Sequence, residues 1–493
     1  MLKHWTTHDE YQNFIAEALK KLNESQLKKL NSHSDSIFKL TSLNLDPVGQ
    51  HLYPYYSGTG RPALNQPEII RSFVLMSDLK ETSLTNWVIS LSHDDLLAML
   101  IGCTPDSLPP LGSYYDFIDR LWLQNPAFEM SGRADLFPPD KNSKPKAKPG
   151  KNKKLPNKHS GITEKCADYA LAGRDFPFHY ELLLQEIFKI AAITPSIECG
   201  IIPNDGITLN GDGTCVHAHS SPYGHRVCNC KDEGINNCSC YRHFSDPDAD
   251  FGWDSDIEKF FFGHTLYSYT YYNSKYKTDL PMHIRFLNAR RHDSVSGIVS
   301  LSEFKNLNPG LFIKNICLDS AHDNYPTYRL LKEWNISPFI DLNSKRGKPA
   351  SIPDNITIDE DGTPLCQAGF RMVFKGNCPG RSRVKWRCPV ACGERESCDL
   401  QGECSPSPYG RCFYTKPDWD IRLYTPVARG TPEYKETYNQ RSSSERMNNR
   451  ILNDYRLHDM KIHGKKRYSF FTMIAGINIH LDARLKKQRM DAA

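Results

Sequence analysis

The chain is 493 residues long, 39% hydrophobic and 24% charged, with a formal net charge of +5 and a mean hydropathy of −0.56. That length suffices for two to four domains with a substantial core, and no window approaches the roughly 20 apolar residues of a membrane-spanning helix. The opening MLKHWTTHDEYQNFIAEALKK lacks an apolar secretory core, so a cytoplasmic location is expected, where 16 cysteines read as thiols or metal ligands rather than disulfides.

In chain order, residues 1–125 read as helical. Phe14, Ala18, Leu19 and Leu22 stand at helical spacing, and a compact unit follows over about 60–122. Pro62 and Pro67 punctuate its start, and apolar periodicity runs through Ile69, Ile70, Phe73, Val74 and Met76, then Leu84, Trp87 and Leu91. Short helices in this arrangement can form a helix-turn-helix DNA-binding unit, but by themselves they fit any small bundle better. Residues 126–165 form a linker whose centre, PDKNSKPKAKPGKNKKLPNK (139–158), is lysine and proline with one large apolar residue, a segment able to neutralise phosphates but not to build a core. Tyr180 to Ala192 is a strongly apolar helix.

From 206 the period changes. ITLNGDGTCVHAH, FFGHTLYSYTYY and LPMHIRFLNAR predict three strands; DSVSGIVSLSEFKNL a helix, NICLDSA a strand, NYPTYRLLKEWN a helix and SPFIDLN a last strand. That order is the one of a ribonuclease H-like core. The expected fold is α/β: a ribonuclease H-like mixed sheet flanked by helices, with an N-terminal all-α domain. Its first part would span 166–345, a Cys-rich insertion 346–420, and its remainder 421–493.

Asp212 is expected at the end of the first strand and Asp319 at the end of the fourth, and these strands are neighbours in such a sheet. A late helix, Tyr438 to Leu452, has Tyr438, Arg441, Glu445, Asn448 and Asn449 on one polar face. Taken alone, that face is an ordinary solvated Arg–Glu pair. With Asp212 and Asp319 upstream, Glu445 becomes a third ligand. Three carboxylates suit Mg²⁺ or Mn²⁺, and two such ions about 3.5–4 Å apart activate a water or a 3′-hydroxyl for in-line phosphodiester displacement. Asp293 and Asp323 read as helix caps. The Asp246–Asp248–Asp250 run fails as a calcium loop because Gly252 falls one place late and Ile257 occupies the bidentate position. Asp205 and Asp341 enter only if the strands shift.

These residues carry a resemblance. The chain resembles the insertion-sequence DDE transposases whose third carboxylate lies in a Y-x2-R-x3-E-x6-K motif: Tyr438, Arg441 and Glu445 match, and Leu452 stands where the lysine would be. The stretches LNGDGT, FFGHTLYSYT, NARRHDS, LDSAHDN and AGINIHLDARLK fall in the family's order, and GRPALNQPEIIRSFVL resembles its N-terminal domain. The resemblance implies a transposase that binds terminal inverted repeats, cuts phosphodiesters with Asp212, Asp319 and Glu445, and joins 3′ ends to target DNA as an oligomer. It implies phosphate contacts from Tyr438 and Arg441, with Lys461, Lys465, Lys466 and Arg467 supplying further charge to DNA. A DNA-binding descendant without catalysis and a ribonuclease H-like nuclease without strand transfer are the alternatives.

The cysteines fall into two groups. Cys228, Cys230, Cys238 and Cys240, with Cys215, His217 and His219 nearby, lie between the first two strands as CxC pairs. Cys378, Cys388, Cys392, Cys398, Cys404 and Cys412 lie in the late insertion among Arg381, Arg383, Lys385, Arg387 and Arg395. Structural Zn²⁺ is a candidate for each, and more so for the second, which shows no obvious core of its own. Reduced thiols without metal are the alternative.

Overall fold

A computed structural model describes residues 1–124, 136, 161–177, 179–255, 257–343, 352–353, 356–401 and 403–492. The Lys/Pro stretch 139–158 lies outside them.

The N-terminal part is helical: α1 (His8–Leu19), α2 (Glu24–Asn31), α3 (Ser34–Ser42), α4 (Asp46–Leu52), α5 (Gln66–Asp78), α6 (Leu84–His93), α7 (Asp95–Leu100) and α8 (Leu111–Arg120). Local chemistry sets several starts: a Thr7–Glu10 capping box opens α1, and the Ser83 and Asp94 side chains accept amide hydrogens at the starts of α6 and α7. Then come α9 (Ile162–Leu171), α10 (Leu182–Phe188) and α11 (Thr194–Glu198).

The sheet follows: β1 (Ile207–His217), a two-residue hairpin of β2 (His225–Arg226) and β3 (Arg242–His243), β4 (Asp250–Asp254), β5 (Lys259–Asn273) and β6 (Thr278–Asn288). Next are α12 (Asp293–Leu307), β7 (Ile313–Leu318), α13 (Tyr325–Glu333) and β8 (Ser337–Ile340). The main sheet is mixed. β5 is antiparallel to β1 on one side and to β4 and β6, end to end, on the other, while β1–β7 and β7–β8 are parallel. Its order is β6–β5–β1–β7–β8, so the first and fourth long strands are neighbours as expected. Helices cover both faces. The Tyr269 hydroxyl donates to Gly297 of α12, while its chain neighbour Ser268 donates to Asn448 further along the chain; successive strand residues point to opposite faces.

β9 (Val373–Cys378), β10 (Arg383–Arg387) and β11 (Cys412–Thr415) make a separate three-stranded sheet. Contrary to the expectation of a region without its own core, Met372, Val384, Trp386, Leu423, Tyr424 and Ala428 pack together there. α14 (Pro432–Tyr438), α15 (Ser442–Asn449) and α16 (Lys465–Ala492) complete the chain. α16 joins the helical N-terminal part to the sheet in one continuous core: Phe470 meets Phe73 edge to face at 4.6 Å, and Asn478 donates to the Val74 carbonyl at 3.0 Å. Among the described residues, no helix is long and apolar enough to cross a membrane.

Candidate active site

Asp212 lies in the middle of β1 rather than at its end. The pairing with β7 stops at Asn210, however, so Asp212 emerges just where its parallel neighbour finishes. It stands opposite Ser268 of β5. Asn448 of α15 links the two, accepting from the Ser268 hydroxyl at 2.8 Å and donating to Asp212 at 3.5 Å. Arg441 contacts Glu445 closely and reaches Asp212 at 4.0 Å, lying between the two carboxylates. Burial pushes the Asp212 carboxyl up to about 7 against the pull of Arg441, and Asp293, Asp319 and Glu445 add to the rise.

Asp319 directly follows β7 and begins a short turn, accepting from the Ala321 amide at 3.2 Å and from Nδ1–H of His322 at 2.6 Å. The buried His322 ring is in turn held by the Tyr267 hydroxyl at 2.9 Å from Nε2. Burial opposes the charge of Asp319, but the bond and charge of His322 outweigh it and keep the carboxyl below its ordinary range. Three elements far apart in the chain, β1, the end of β7 and α15, thus bring Asp212, Asp319 and Glu445 into one electrostatic neighbourhood.

Sequence reasoning missed a fourth carboxylate. Asp293 is not the cap of α12, because His292 caps it through Nδ1. Asp293 sits instead in the first turn, against Gly213, where a side chain on that glycine would collide with its carboxylate. The signal was the Gly after Asp212, which leaves room for that approach. Asp323 is not a cap either: Asn324 caps α13, and the buried Asp323 receives Arg422 at 3.2 Å and the Asn343 amide at 2.9 Å. That contact ties the chain after the late Cys-rich sheet back to the end of β7. Asp246 holds the buried His264 at 2.9 Å.

The late helical stretch is not one regular helix. Pro432 starts α14, a tighter turn at Asn439–Arg441 leads into α15, and a wider turn at Arg450–Asp454 ends it. The changes of pitch split the expected polar face. Glu445 is exposed, Asn448 is buried, and Asn449 bonds Asn453 instead. Tyr438 is half-buried against Tyr434. Leu452 is buried in the main core, which accounts for an apolar residue there.

Of the downstream basic residues, Lys465 corrects the expectation of a DNA contact. It is buried and pairs with Glu181 at 3.3 Å, in an interior network where Arg285 pairs with both Glu181 and, at 3.0 Å, Glu303. Lys466 pairs with Asp119 at 2.7 Å, and Arg467 lies 5.1 Å over the Tyr115 ring, so both dock α16 on α8. Lys461 is exposed.

The cysteines separate sharply. The sulfurs of Cys228, Cys230, Cys238 and Cys240 all lie within 4.8 Å of one another and can hold a metal ion. Cys228 and Cys238 are 3.6 Å apart, as are Cys230 and Cys240. Backbone and side-chain hydrogen bonds, first that of the Cys230 amide, lower the Cys228 thiol to about 7. Cys215, His217 and His219 are not in the group; His217 instead stacks on Phe261. Among the described residues, Cys378, Cys388, Cys392, Cys398, Cys404 and Cys412 form no group as close as this one, although Cys388, Cys398 and Cys404 line a pocket together with Cys366. A small core around Trp386 packs in that region.

The oxygen site is looser: its carboxylates do not meet the same closeness. Its donor set nonetheless fits a hard divalent cation, since four carboxylates gather around Arg441, His322 and His292, and burial, with the neighbouring carboxylates adding to it, raises Asp212. Compared with known proteins, the chain matches no family model and no curated protein.

Proposed function

We propose that the chain is a DNA transposase of the insertion-sequence DDE type, with a ribonuclease H-like core in which Asp212, Asp319 and Glu445 hold the catalytic Mg²⁺ or Mn²⁺ ions. The observation that carries this reading is the strand order β6–β5–β1–β7–β8, with Asp212 and Asp319 on neighbouring strands and Glu445 on a helix tied to Asp212 through Arg441 and Asn448. When bound, the ions supply activation of a water or 3′-hydroxyl and neutralise the leaving oxygen. The protein's own residues do the positioning. Ser268 and Asn448 aim Asp212, and His322 with Tyr267 fixes Asp319. Arg441, once released from its bridge between carboxylates, is free to pair with a DNA phosphate. Tyr438 and the exposed Lys461 extend that contact, and the helical N-terminal part would bind the terminal repeats as the protein assembles on two ends. The test is incubation with DNA ending in the element's own flanking repeats, with Mg²⁺. Nicked and joined products from wild type, and neither from Asp319→Asn, are expected. Cleavage that persists in Asp319→Asn overturns the site, and cleavage without joining indicates a nuclease.

A further inference from the structure

The hairpin between β1 and β4 has an unusual physical problem. None of residues 217–245 is buried, yet β2 and β3 pair in register, His225 with His243 and Arg226 with Arg242. A two-residue hairpin without a hydrophobic face does not hold itself in water. Within this loop the turns are tight: the Ile235 amide bonds the Cys230 carbonyl at 2.8 Å, the Asp232 amide bonds the Asn229 carbonyl at 2.9 Å, and Gly234 turns at φ 79°. Arg226 donates to the Asn236 carbonyl. These turns return the second CxC pair onto the first.

We propose that Cys228, Cys230, Cys238 and Cys240 bind one structural Zn²⁺ as a closed tetrathiolate, and that this ion, rather than a core, folds residues 220–245. Zn–S bonds of about 2.3 Å at tetrahedral angles set sulfurs roughly 3.8 Å apart. The observed 3.6 Å pairs, within a group whose every separation is at most 4.8 Å, match one ion at the centre. A two-iron cluster needs its thiolates shared between two irons, hence spread wider. The sulfurs are not bonded to each other, and all four cysteines are free. Four protein ligands leave no open position, so the site is structural and stands apart from phosphodiester chemistry. Binding releases the thiol protons, and its free energy becomes folding free energy of the hairpin. The inference rests on residues that the transposase reading does not use, so either can fail alone.

The test uses the full chain purified under reducing conditions without chelator. Metal analysis should give one zinc per chain, retained in Cys404→Ser and lost in Cys230→Ser and Cys238→Ser. In the wild type, Co²⁺ exchanged for zinc should show the thiolate charge-transfer and tetrahedral visible bands, a readout that needs no variant. Trypsin should cut at Lys231 much faster after a mercurial displaces the metal, with cleavage elsewhere in the chain unchanged. Freely reactive thiols with no metal, iron in place of zinc, or two disulfides in the non-reduced chain would overturn the assignment. Equal cleavage at Lys231 with and without metal would overturn the folding role.

Discussion

The carboxylate site and the cysteine hairpin are built on opposite principles. Asp212, Asp319 and Glu445 come from positions more than 100 residues apart and meet only because a buried sheet and the α15 helix hold them. Cys228 to Cys240 lie within one short loop that buries nothing and gathers its own ligands. The first site is positioned by packing; on our proposal, the second depends on a metal at its sulfurs. The late Cys-rich sheet sharpens the contrast. It carries more cysteines but also a core around Trp386, and among the described residues its sulfurs form no group as close as that of the hairpin.

That contrast can be broken in order of effect. Asp319→Asn should lower DNA cleavage on the order of 10³-fold, measured in single turnover, while zinc content and thermal midpoint stay unchanged. A parallel loss of zinc would show the two sites coupled. Lys465→Met should cost about 3–5 kcal/mol of stability in urea unfolding, because it leaves the buried Glu181 with one cation fewer; an unchanged midpoint would place Lys465 at the surface after all. Lys461→Ala should leave stability alone and weaken DNA binding in a salt-dependent way.

Asn448→Ala should lower cleavage about 10- to 100-fold through loss of its bridge between Ser268 and Asp212, with its Mn²⁺ requirement shifted to higher concentration. A pure stability loss with normal Mn²⁺ dependence would make Asn448 a packing residue only. The smallest effect is in pH. Asp212 holds its proton up to about 7 when folded and releases it near 4 when unfolded, so in the metal-free protein this carboxyl destabilises the fold progressively as pH rises from about 4 to 7. Divalent metal needs the ionised form. Mn²⁺ binding, read as a thermal shift, should therefore weaken by up to about tenfold per pH unit below 7. The same thermal shift in Asp212→Asn should lose this dependence.

Much of the architecture was legible in the chain. Apolar runs, alternation and helical period located β1, β5, β6, α12, β7, α13 and β8, although α12, β5 and β6 are buried on both faces through most of their length. The helix at 293–307 matches to the residue. Asp212, Asp319 and Glu445 were legible as residue types beside predicted strand ends and on a polar helix stretch. Asn448 shared that stretch, but its partners did not show.

What the sequence by itself determined is thus the order of elements, the acidic residues at the ends of predicted strands and on the late helix, and the local CxC pairs, all set by short-range period and spacing. Only the tertiary structure decided which groups meet. Asp293 approaches Asp212 through the room left by Gly213, His322 grips Asp319 from behind, and Lys465 turns inward to Glu181. It also decided which cysteines converge. The reason is physical: periodicity records whether a residue faces the core, but contacts between distant segments depend on how sheet and helices close around that core, which no local spacing encodes.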